Sequence, residues 1–154
     1  MPKSYIKVYI HYVYTVKGRS NFLLPQHNNE LQKYITGIVQ NRKCKMLAIN
    51  NMPDHVHMLI GIHPAYSISK LIQEVKAISS QFINKNRWVR VKFQWQKGYG
   101  AFSYSRSQIN NVIRYIENQQ KHHKKKNFEE EYIEFLEKFA IEFDNKCLFE
   151  FYDK

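Results

Sequence analysis

The first part of the chain alternates between apolar runs and polar breaks, and this pattern predicts its secondary structure. Residues 5–16 (YIKVYIHYVYTV) are dense in Val, Ile, Tyr and Thr, which is typical of a β-strand. Apolar residues then recur at helical spacing and predict a helix from about Asn28 to Arg42. The stretches 44–52 and 55–62 predict two further strands, joined by a turn at Pro53-Asp54 as in a hairpin.

The second part of the chain predicts two longer helices, a broken strand and a C-terminal helix. Ser67 is placed to cap a helix over 68–84, whose apolar residues fall on one face. Residues 91–104 predict a strand interrupted at Gly98 and Gly100 by a turn or bulge. Ser105 or Ser107 is placed to cap a helix that runs to about His123, and residues 127–141 predict a last helix with acidic residues in its first turn, where the helix dipole favours them.

The resulting order is β-α-β-β-α-β-α-α, and its first six elements follow the ferredoxin-like order. We therefore expect an α+β fold with a ferredoxin-like (RRM-like) antiparallel sheet, helices packed on one face and an additional C-terminal helix. A length of 154 residues, without a linker or a repeat, predicts a single domain over residues 1–154.

The amino-acid composition predicts the kind of binding partner and the cellular compartment. The net charge of +11 comes from 24 Lys and Arg against 13 Asp and Glu, and it favours an anionic partner, most often nucleic acid, over a membrane surface. The sequence shows no signal-peptide layout and no apolar run long enough to cross a membrane. Cys44 and Cys147 do not form a disulfide framework or a zinc-site spacing, so we expect a cytoplasmic protein.

Two histidines stand one residue apart inside the third predicted strand, in DHVHMLIGI. Residues i and i+2 of a strand point to the same face, so His55 and His57 lie side by side while Val56 and Met58 face the other way. Two imidazoles at this spacing can bind one metal ion between them. The alternative is a pair that only forms hydrogen bonds at the sheet surface, and spacing alone leaves both possibilities open.

A third ligand has to come from elsewhere, and the helix SQINNVIRYIENQQKHH offers candidates. Its buried stripe is apolar, and Tyr115, Gln119 and His122 lie together on one flank of that stripe. Tyr115 and Gln119 are one turn apart, so the helix presents a phenol and an amide in one line. The alternative for Tyr115 is a boundary tyrosine whose ring only packs against its neighbours.

These motifs together resemble those of the small single-tyrosine HUH transposases (His, bulky hydrophobic residue, His). This family mobilises minimal bacterial insertion sequences and includes the REP-associated tyrosine transposases. MPDHVH followed by an apolar strand resembles the HUH motif, and RYIENQQKHH resembles the helix that carries the nucleophilic tyrosine. The segment NFEEEYIEFLEKFAIEFDNKCLF is similar to the family's tail, so the likeness extends over nearly the whole chain.

The resemblance implies a role for each matching residue. It makes His55, His57 and Gln119 ligands of a divalent metal, Mg²⁺ or Mn²⁺, and it makes Tyr115 the nucleophile. It gives no role to His11, because the early strand departs from the usual pattern. It also implies a homodimer that acts on single-stranded DNA folded into hairpins at the ends of a mobile element. In some members the tyrosine helix completes the partner's active site, and the sequence leaves that point open.

The remaining basic residues are candidates for DNA binding, because cations contact phosphates and neighbouring aromatic rings can stack on bases. They form two groups: Lys121, Lys124, Lys125 and Lys126 after the tyrosine helix, and Arg87, Arg90 and Lys92 beside Trp88 and Trp95. The alternatives are a solvated helix end for the lysines and core packing for the two tryptophans.

Three functions compete at this stage. The first is a transposase that nicks and rejoins single-stranded, hairpin-bearing DNA through a 5′-phosphotyrosine intermediate. The second is an inactive or domesticated relative that binds DNA or RNA hairpins as a regulator and needs neither a metal site nor a tyrosine off the buried stripe. The third is a replication or conjugation initiator, which usually carries additional domains. The complete set of His55, His57, Tyr115 and Gln119 favours the transposase.

Overall fold

A computed structural model describes residues 3–123 and 126–143 of the chain. This part of the chain contains four strands and five α-helices, and the second and third strands follow each other directly. The bounds in chain order are β1 Tyr9–Thr15, α1 Asn28–Gln40, β2 Lys45–Met52, β3 His55–Gly61, α2 Ile68–Lys85, β4 Gly100–Ser103, α3 Ile109–Glu117, α4 Gln119–His122 and α5 Phe128–Lys138.

The four strands form one sheet in the order β2-β3-β1-β4, and every neighbouring pair is antiparallel. This confirms the predicted α+β fold with an antiparallel sheet and the ferredoxin-like order of its first six elements. β1 lies between β3 and β4, with Val13 opposite His57 and His11 opposite Phe102. The central position of β1 explains its run of buried residues, because both its edges and both its faces are covered.

Helices α1 and α2 cover the first face of the sheet. Tyr12, Tyr14 and Met58 point to this face and pack in one hydrophobic core with Ile35 of α1 and Val75 of α2. The hydroxyl of Ser67 accepts a hydrogen bond from the Lys70 amide at 3.1 Å, which confirms the predicted cap of α2. This core leaves the opposite face of the sheet, with the histidine pair, to be covered by other elements.

Helices α3 and α5 cover that second face. Val112 and Ile116 of α3 pack on Leu59 of β3, whereas Tyr132 and Leu136 of α5 belong to a separate cluster around β1 and β4. The additional C-terminal helix therefore packs beside α3 on the second face of the sheet, and the crossover helices occupy the first.

Two predicted elements differ in extent from the structure. Of residues 91–104, only β4 belongs to the sheet, and Trp95 forms an isolated bridge with Val16. Phe93 and Trp95 are buried in the first core, so their apolar character reflects packing and not a continuous strand. The helix expected to reach His123 is interrupted at Asn118, which leaves helical geometry and separates α3 from α4.

Candidate functional site

The histidine pair occupies the first residues of β3, on the sheet face that α3 and α5 cover. His55 and His57 are 1% and 0% exposed, while Val56 and Met58 point into the opposite core. The strand periodicity therefore placed the two imidazoles correctly on one face. Their nearly complete burial shows that the two imidazoles are not exposed to solvent on the sheet.

Each imidazole is held by a second group through its Nδ1 atom. The Nδ1 atom of His55 lies 2.7 Å from Oδ1 of Asp54, and Asp54 in turn pairs with Arg19 at 3.0 Å. The Nδ1 atom of His57 lies 2.8 Å from Nε2 of His11. Metal-binding histidines are usually oriented in this way by an outer partner. Both rings consequently direct Nε2 toward a common point.

That common point is occupied by the carboxylate of Glu131, from the first turn of α5. Oε1 of Glu131 lies 3.0 Å from Nε2 of His57 and 3.8 Å from Nε2 of His55. The latter nitrogen is buried and has no hydrogen-bond partner among the described residues. Burial opposes ionisation of Glu131, but the charge of His57 and hydrogen bonds from His123 and His57 hold the pKa of this carboxyl well below its ordinary value.

Tyr115 and Gln119 reach the same carboxylate from the other side. The Tyr115 hydroxyl donates a hydrogen bond to Oε2 of Glu131, and Nε2 of Gln119 donates to the same oxygen at 3.1 Å. Gln119 is fully buried although the helix breaks at Asn118 just before it. The structure thus brings together all four residues that the sequence predicted, with Glu131 between the histidines and the tyrosine helix.

The phenol of Tyr115 is neutral in this setting. Burial raises its pKa above the ordinary value, and the neighbouring Glu131 carboxylate raises it further. A phenol needs to lose its proton to become a strong nucleophile, so the free protein holds the hydroxyl in its unreactive, protonated form.

His123 completes the cluster after α4. Its Nε2 atom lies 3.0 Å from Oε1 of Gln119 and 3.4 Å from Oε1 of Glu131. Among the described residues, His55, His57, His123 and Glu131 each offer a ligand atom, and these four atoms lie within 4.8 Å of one another. Imidazole nitrogens and a carboxylate oxygen form a mixed donor set that a divalent cation accepts.

The predicted basic residues lie around the molecule in two places. α2 packs on the sheet face opposite the histidines, and Arg87, Arg90 and Lys92 follow it as exposed residues. Lys121 is exposed in α4, and Lys126 pairs with Glu134 of α5. Lys124 and Lys125 lie outside the described residues, and a DNA-binding role for either group stays a prediction.

The two tryptophans follow the alternative of core packing. Nε1 of Trp95 donates to the Ser79 hydroxyl at 3.0 Å, and this side chain is 8% exposed. The ring of Trp88 stacks on His27 at 4.1 Å and contacts Phe82. Neither ring is presented to a base as a free stacking surface.

Sequence reasoning missed Glu131, His123, Asp54 and His11. Glu131 lies in the run EEE, which the helix dipole already explained, and no spacing distinguishes it from Glu129 and Glu130. Asp54 offered a signal, since it directly precedes His55 and a carboxylate beside a ligand histidine is a common outer partner. His11 and His123 become recognisable only when β1 and the end of α4 are placed against β3.

The fold and this centre define a small α+β domain in which a buried histidine pair, an acid and a tyrosine converge. Residues 4–119 match the family model described as "Transposase IS200 like", so the chain belongs to the IS200-like transposase family, the family of single-tyrosine HUH transposases. No curated protein matches the chain. Among the helices of the described part of the chain, none combines the length and apolar character of a membrane crossing.

Two solved structures share the fold. A candidate transposase from Deinococcus radiodurans R1 is 23% identical, with a TM-score of 0.60, and the match covers 77% of this chain and 96% of the other. A REP-associated tyrosine transposase bound to a REP hairpin is 20% identical, with a TM-score of 0.58, and the match covers 80% of this chain and 73% of the other. At these identities the two structures support the fold.

Proposed function

We propose that this transposase is a metal-dependent single-strand DNA endonuclease and strand transferase, and that Tyr115 is its nucleophile. One observation carries the proposal: the Tyr115 hydroxyl and Nε2 of His57 contact opposite oxygens of the same Glu131 carboxylate. The nucleophile and the nitrogen ligands thus meet within one chain. Family membership supports the reaction class, and the convergence of these groups supports the residue roles.

The residues present fit a divalent cation. His55 and His57 would bind it through Nε2, because their Nδ1 atoms are already engaged and Nε2 of His55 is buried with no hydrogen-bond partner in the described part of the chain. Glu131 and Gln119 would supply oxygen, so the mixed nitrogen and oxygen set suits Mn²⁺ and accepts Mg²⁺ with lower affinity. Such an ion would offset the negative charge that the scissile phosphate gains in the transition state.

The chain's own groups account for the first chemical step. The Tyr115 oxygen attacks the phosphorus, its proton passes to solvent water, and the bond from phosphorus to the 3′ oxygen breaks. The departing 3′ oxygen takes a proton from solvent and becomes a free hydroxyl. The products are a strand with a 3′-OH and a second strand joined to Tyr115 through its 5′ phosphate.

The tyrosine intermediate also explains strand joining. The phosphotyrosine bond is still a phosphodiester, so the energy of the broken bond is retained. A 3′-OH from another strand can attack the same phosphorus and release the Tyr115 oxygen, which regains its proton. Direct hydrolysis would only cut the DNA, so a covalent tyrosine suits transposition better than degradation.

The substrate we propose is single-stranded DNA with hairpin ends of a mobile element. The net charge of +11 supports binding to phosphates, and one structural neighbour is a REP-associated tyrosine transposase bound to a REP hairpin. Arg87, Arg90 and Lys92, together with the lysines at 121 and 124–126, stay the predicted phosphate contacts. A homodimer also stays a prediction, although Tyr115 already reaches the histidines of its own chain.

The test is formation of a covalent adduct. The protein is incubated with a panel of labelled single-stranded hairpin DNAs and Mn²⁺, and a denaturing gel separates any DNA–protein adduct. We expect an adduct that disappears with Tyr115→Phe and falls sharply with His57→Ala. Tyr34→Phe, on α1 at the opposite face of the sheet, is the matched control and keeps the adduct. Binding without an adduct across the whole panel would favour the inactive hairpin-binding regulator.

A further inference from the structure

A cleft of about 310 Å³ opens between α3 and α5 beside Tyr115. Tyr115 and Glu131 line it together with Tyr104, Asn111 and Phe135, and we call it the tyrosine cleft. The proposed nucleophile is therefore part of the wall of a cavity as well as part of the metal centre. A volume of about 300 Å³ is at the lower end of small-ligand sites, and it suits one nucleotide and not a folded DNA stem.

The walls of the tyrosine cleft combine aromatic rings with polar groups. The rings of Tyr104 and Phe135 are half-buried, and Nζ of Lys138 lies 5.6 Å from the centre of the Tyr104 ring. Gln108 also lines the cleft, and its Oε1 accepts a hydrogen bond from the Ser105 amide at 3.1 Å, so Nε2 is the donor that its side chain offers to a ligand. Aromatic faces and amide donors are the groups that recognise an unstacked base.

The proposed chemistry determines which nucleotide lies near this cleft. In the intermediate the phosphorus is bonded to the Tyr115 oxygen and to the 5′ oxygen of the downstream nucleotide. That nucleotide is therefore tethered within two bonds of the Tyr115 oxygen. The upstream strand leaves through its 3′ oxygen, which stands in line with the attacking oxygen on the far side of the phosphorus.

A separate cleft of about 430 Å³ is available for the upstream strand. It is lined by Arg19, Asp54, His55 and His123, and it shares no lining residue with the tyrosine cleft. The two clefts thus border different residues of the same centre. Of the two, the tyrosine cleft is the one that Tyr115 lines.

From these contacts we infer that the tyrosine cleft binds the base of the nucleotide that becomes attached to Tyr115, and that it selects this base. The inference rests on the proposed function, because it assigns the covalent step to Tyr115. The selecting groups are Nε2 of Gln108, which donates a hydrogen bond to the base edge, and the rings of Tyr104 and Phe135, which stack on its face. Cleavage is then sensitive to the first base downstream of the cut.

The main test compares two neighbouring asparagines. Asn111 lines the tyrosine cleft, whereas Asn110 is exposed on the same helix and borders a different surface cavity. Wild type, Asn111→Trp and Asn110→Trp are incubated with Mn²⁺ and a pool of hairpin-bearing single strands with randomised sequence. The adducts are digested, and mass spectrometry identifies the nucleotide left on the Tyr115 peptide. Thermal unfolding checks that each variant is folded.

We expect wild type and Asn110→Trp to favour one base over the least favoured base by about tenfold, as base stacking and one hydrogen bond would give. Asn111→Trp fills the cleft and lowers adduct yield by about tenfold or removes the preference. Gln108→Glu keeps the acceptor for the Ser105 amide but loses the donor, so the preferred base changes. Equal use of all four bases by wild type, or an unchanged preference in both cleft variants, would overturn the inference.

A second measurement does not depend on cleavage. Each of the four deoxynucleoside 5′-monophosphates is titrated into the protein, and NMR follows the ring signals of Tyr104 and Phe135. We expect shifts that differ among the four bases, that persist in Asn110→Trp and that are lost in Asn111→Trp. If wild type forms no adduct, the proposed function fails, and these shifts still decide whether the cleft binds a base. No shift at millimolar nucleotide would overturn the inference.

Discussion

The Nε2 atom of His11 lies 2.8 Å from the Nδ1 atom of His57, so a strand that carries no recognised motif orients one of the two paired imidazoles. His11 is completely buried, and burial holds its pKa well below the ordinary value for histidine. A neutral His11 can accept a hydrogen bond from the Nδ1 atom of His57 through Nε2, and accepting this bond is what an outer partner of a metal-binding histidine does.

We therefore expect His11→Phe to weaken metal binding without unfolding the protein. Phenylalanine keeps the packing against Phe102 and Phe135 but removes the nitrogen beside His57. Loss of an outer partner typically costs about 10- to 100-fold in metal affinity. Isothermal titration with Mn²⁺ measures the affinity, and His63→Ala, in the loop after β3, is the control that leaves it unchanged. Wild-type affinity in folded His11→Phe would show that His57 needs no such support.

Replacing Glu131 tests the link between the histidines and Tyr115. Glu131→Gln keeps the shape of the side chain but removes the charge between Nε2 of His57 and the Tyr115 hydroxyl. We expect Mn²⁺ affinity to fall by about tenfold or more, as a lost carboxylate oxygen implies, and adduct formation to fall with it. Glu130→Gln, one residue earlier and exposed, is the matched control. Equal Mn²⁺ affinity in the two variants would remove Glu131 from the centre.

Gly100 controls how closely α5 approaches the sheet. A Cβ atom at this position would lie 2.9 Å from Cε1 and Oη of Tyr132, closer than real Cβ contacts occur. Gly100→Ala therefore pushes α5, and with it Glu131, away from the histidines. We expect a loss of about 1–3 kcal/mol in the free energy of unfolding and weaker Mn²⁺ binding.

The control for that substitution is Gly37→Ala in α1. A Cβ atom there meets nothing within 4 Å, and alanine favours a helix by about 0.5–1 kcal/mol over glycine. Urea unfolding gives the free energies, and the two glycine variants are expected to change stability in opposite directions. Stability and Mn²⁺ affinity equal to wild type in Gly100→Ala would show that α5 tolerates displacement.

The buried phenol of Tyr14 is expected to make the protein less stable at alkaline pH. Burial raises the pKa of its phenol above the ordinary value of about 10, and within residues 3–123 and 126–143 the polar contact of its hydroxyl is the Met58 sulfur at 3.7 Å. Above about pH 10 the unfolded chain loses this proton and the folded chain keeps it, so stability falls as pH rises. Tyr14→Phe removes this contribution. We expect the free energy of unfolding of Tyr14→Phe, relative to that of wild type, to rise by about 1.4 kcal/mol between pH 8 and pH 11.

Urea unfolding at the two pH values measures that difference for Tyr14→Phe. Tyr5→Phe, at a side chain that is 91% exposed, is the control and is expected to follow wild type at both values. A stability difference between Tyr14→Phe and wild type that does not change with pH would mean that the folded protein ionises Tyr14 as readily as the unfolded chain.

The periodicity of the sequence determined most of the framework. Strand and helix repeats are local properties, so the hairpin of β2 and β3, the helices α1 and α2 and the shared face of His55 and His57 followed from residue order alone. The same local reasoning failed where packing decides, as at Phe93 and Trp95, whose apolar character places them in a core and not in a long strand.

The composition of the centre was decided by the tertiary structure. His55, His57, Tyr115 and Gln119 stand out in the sequence because the first two share a strand and the last two lie one turn apart. Glu131 and His11 do not, because an acidic residue in a first helical turn and a histidine in an apolar strand each have an ordinary local explanation. Only the packing of α5 and the pairing of β1 with β3 bring those two side chains to His57, since contacts between distant segments leave no periodic trace in the chain.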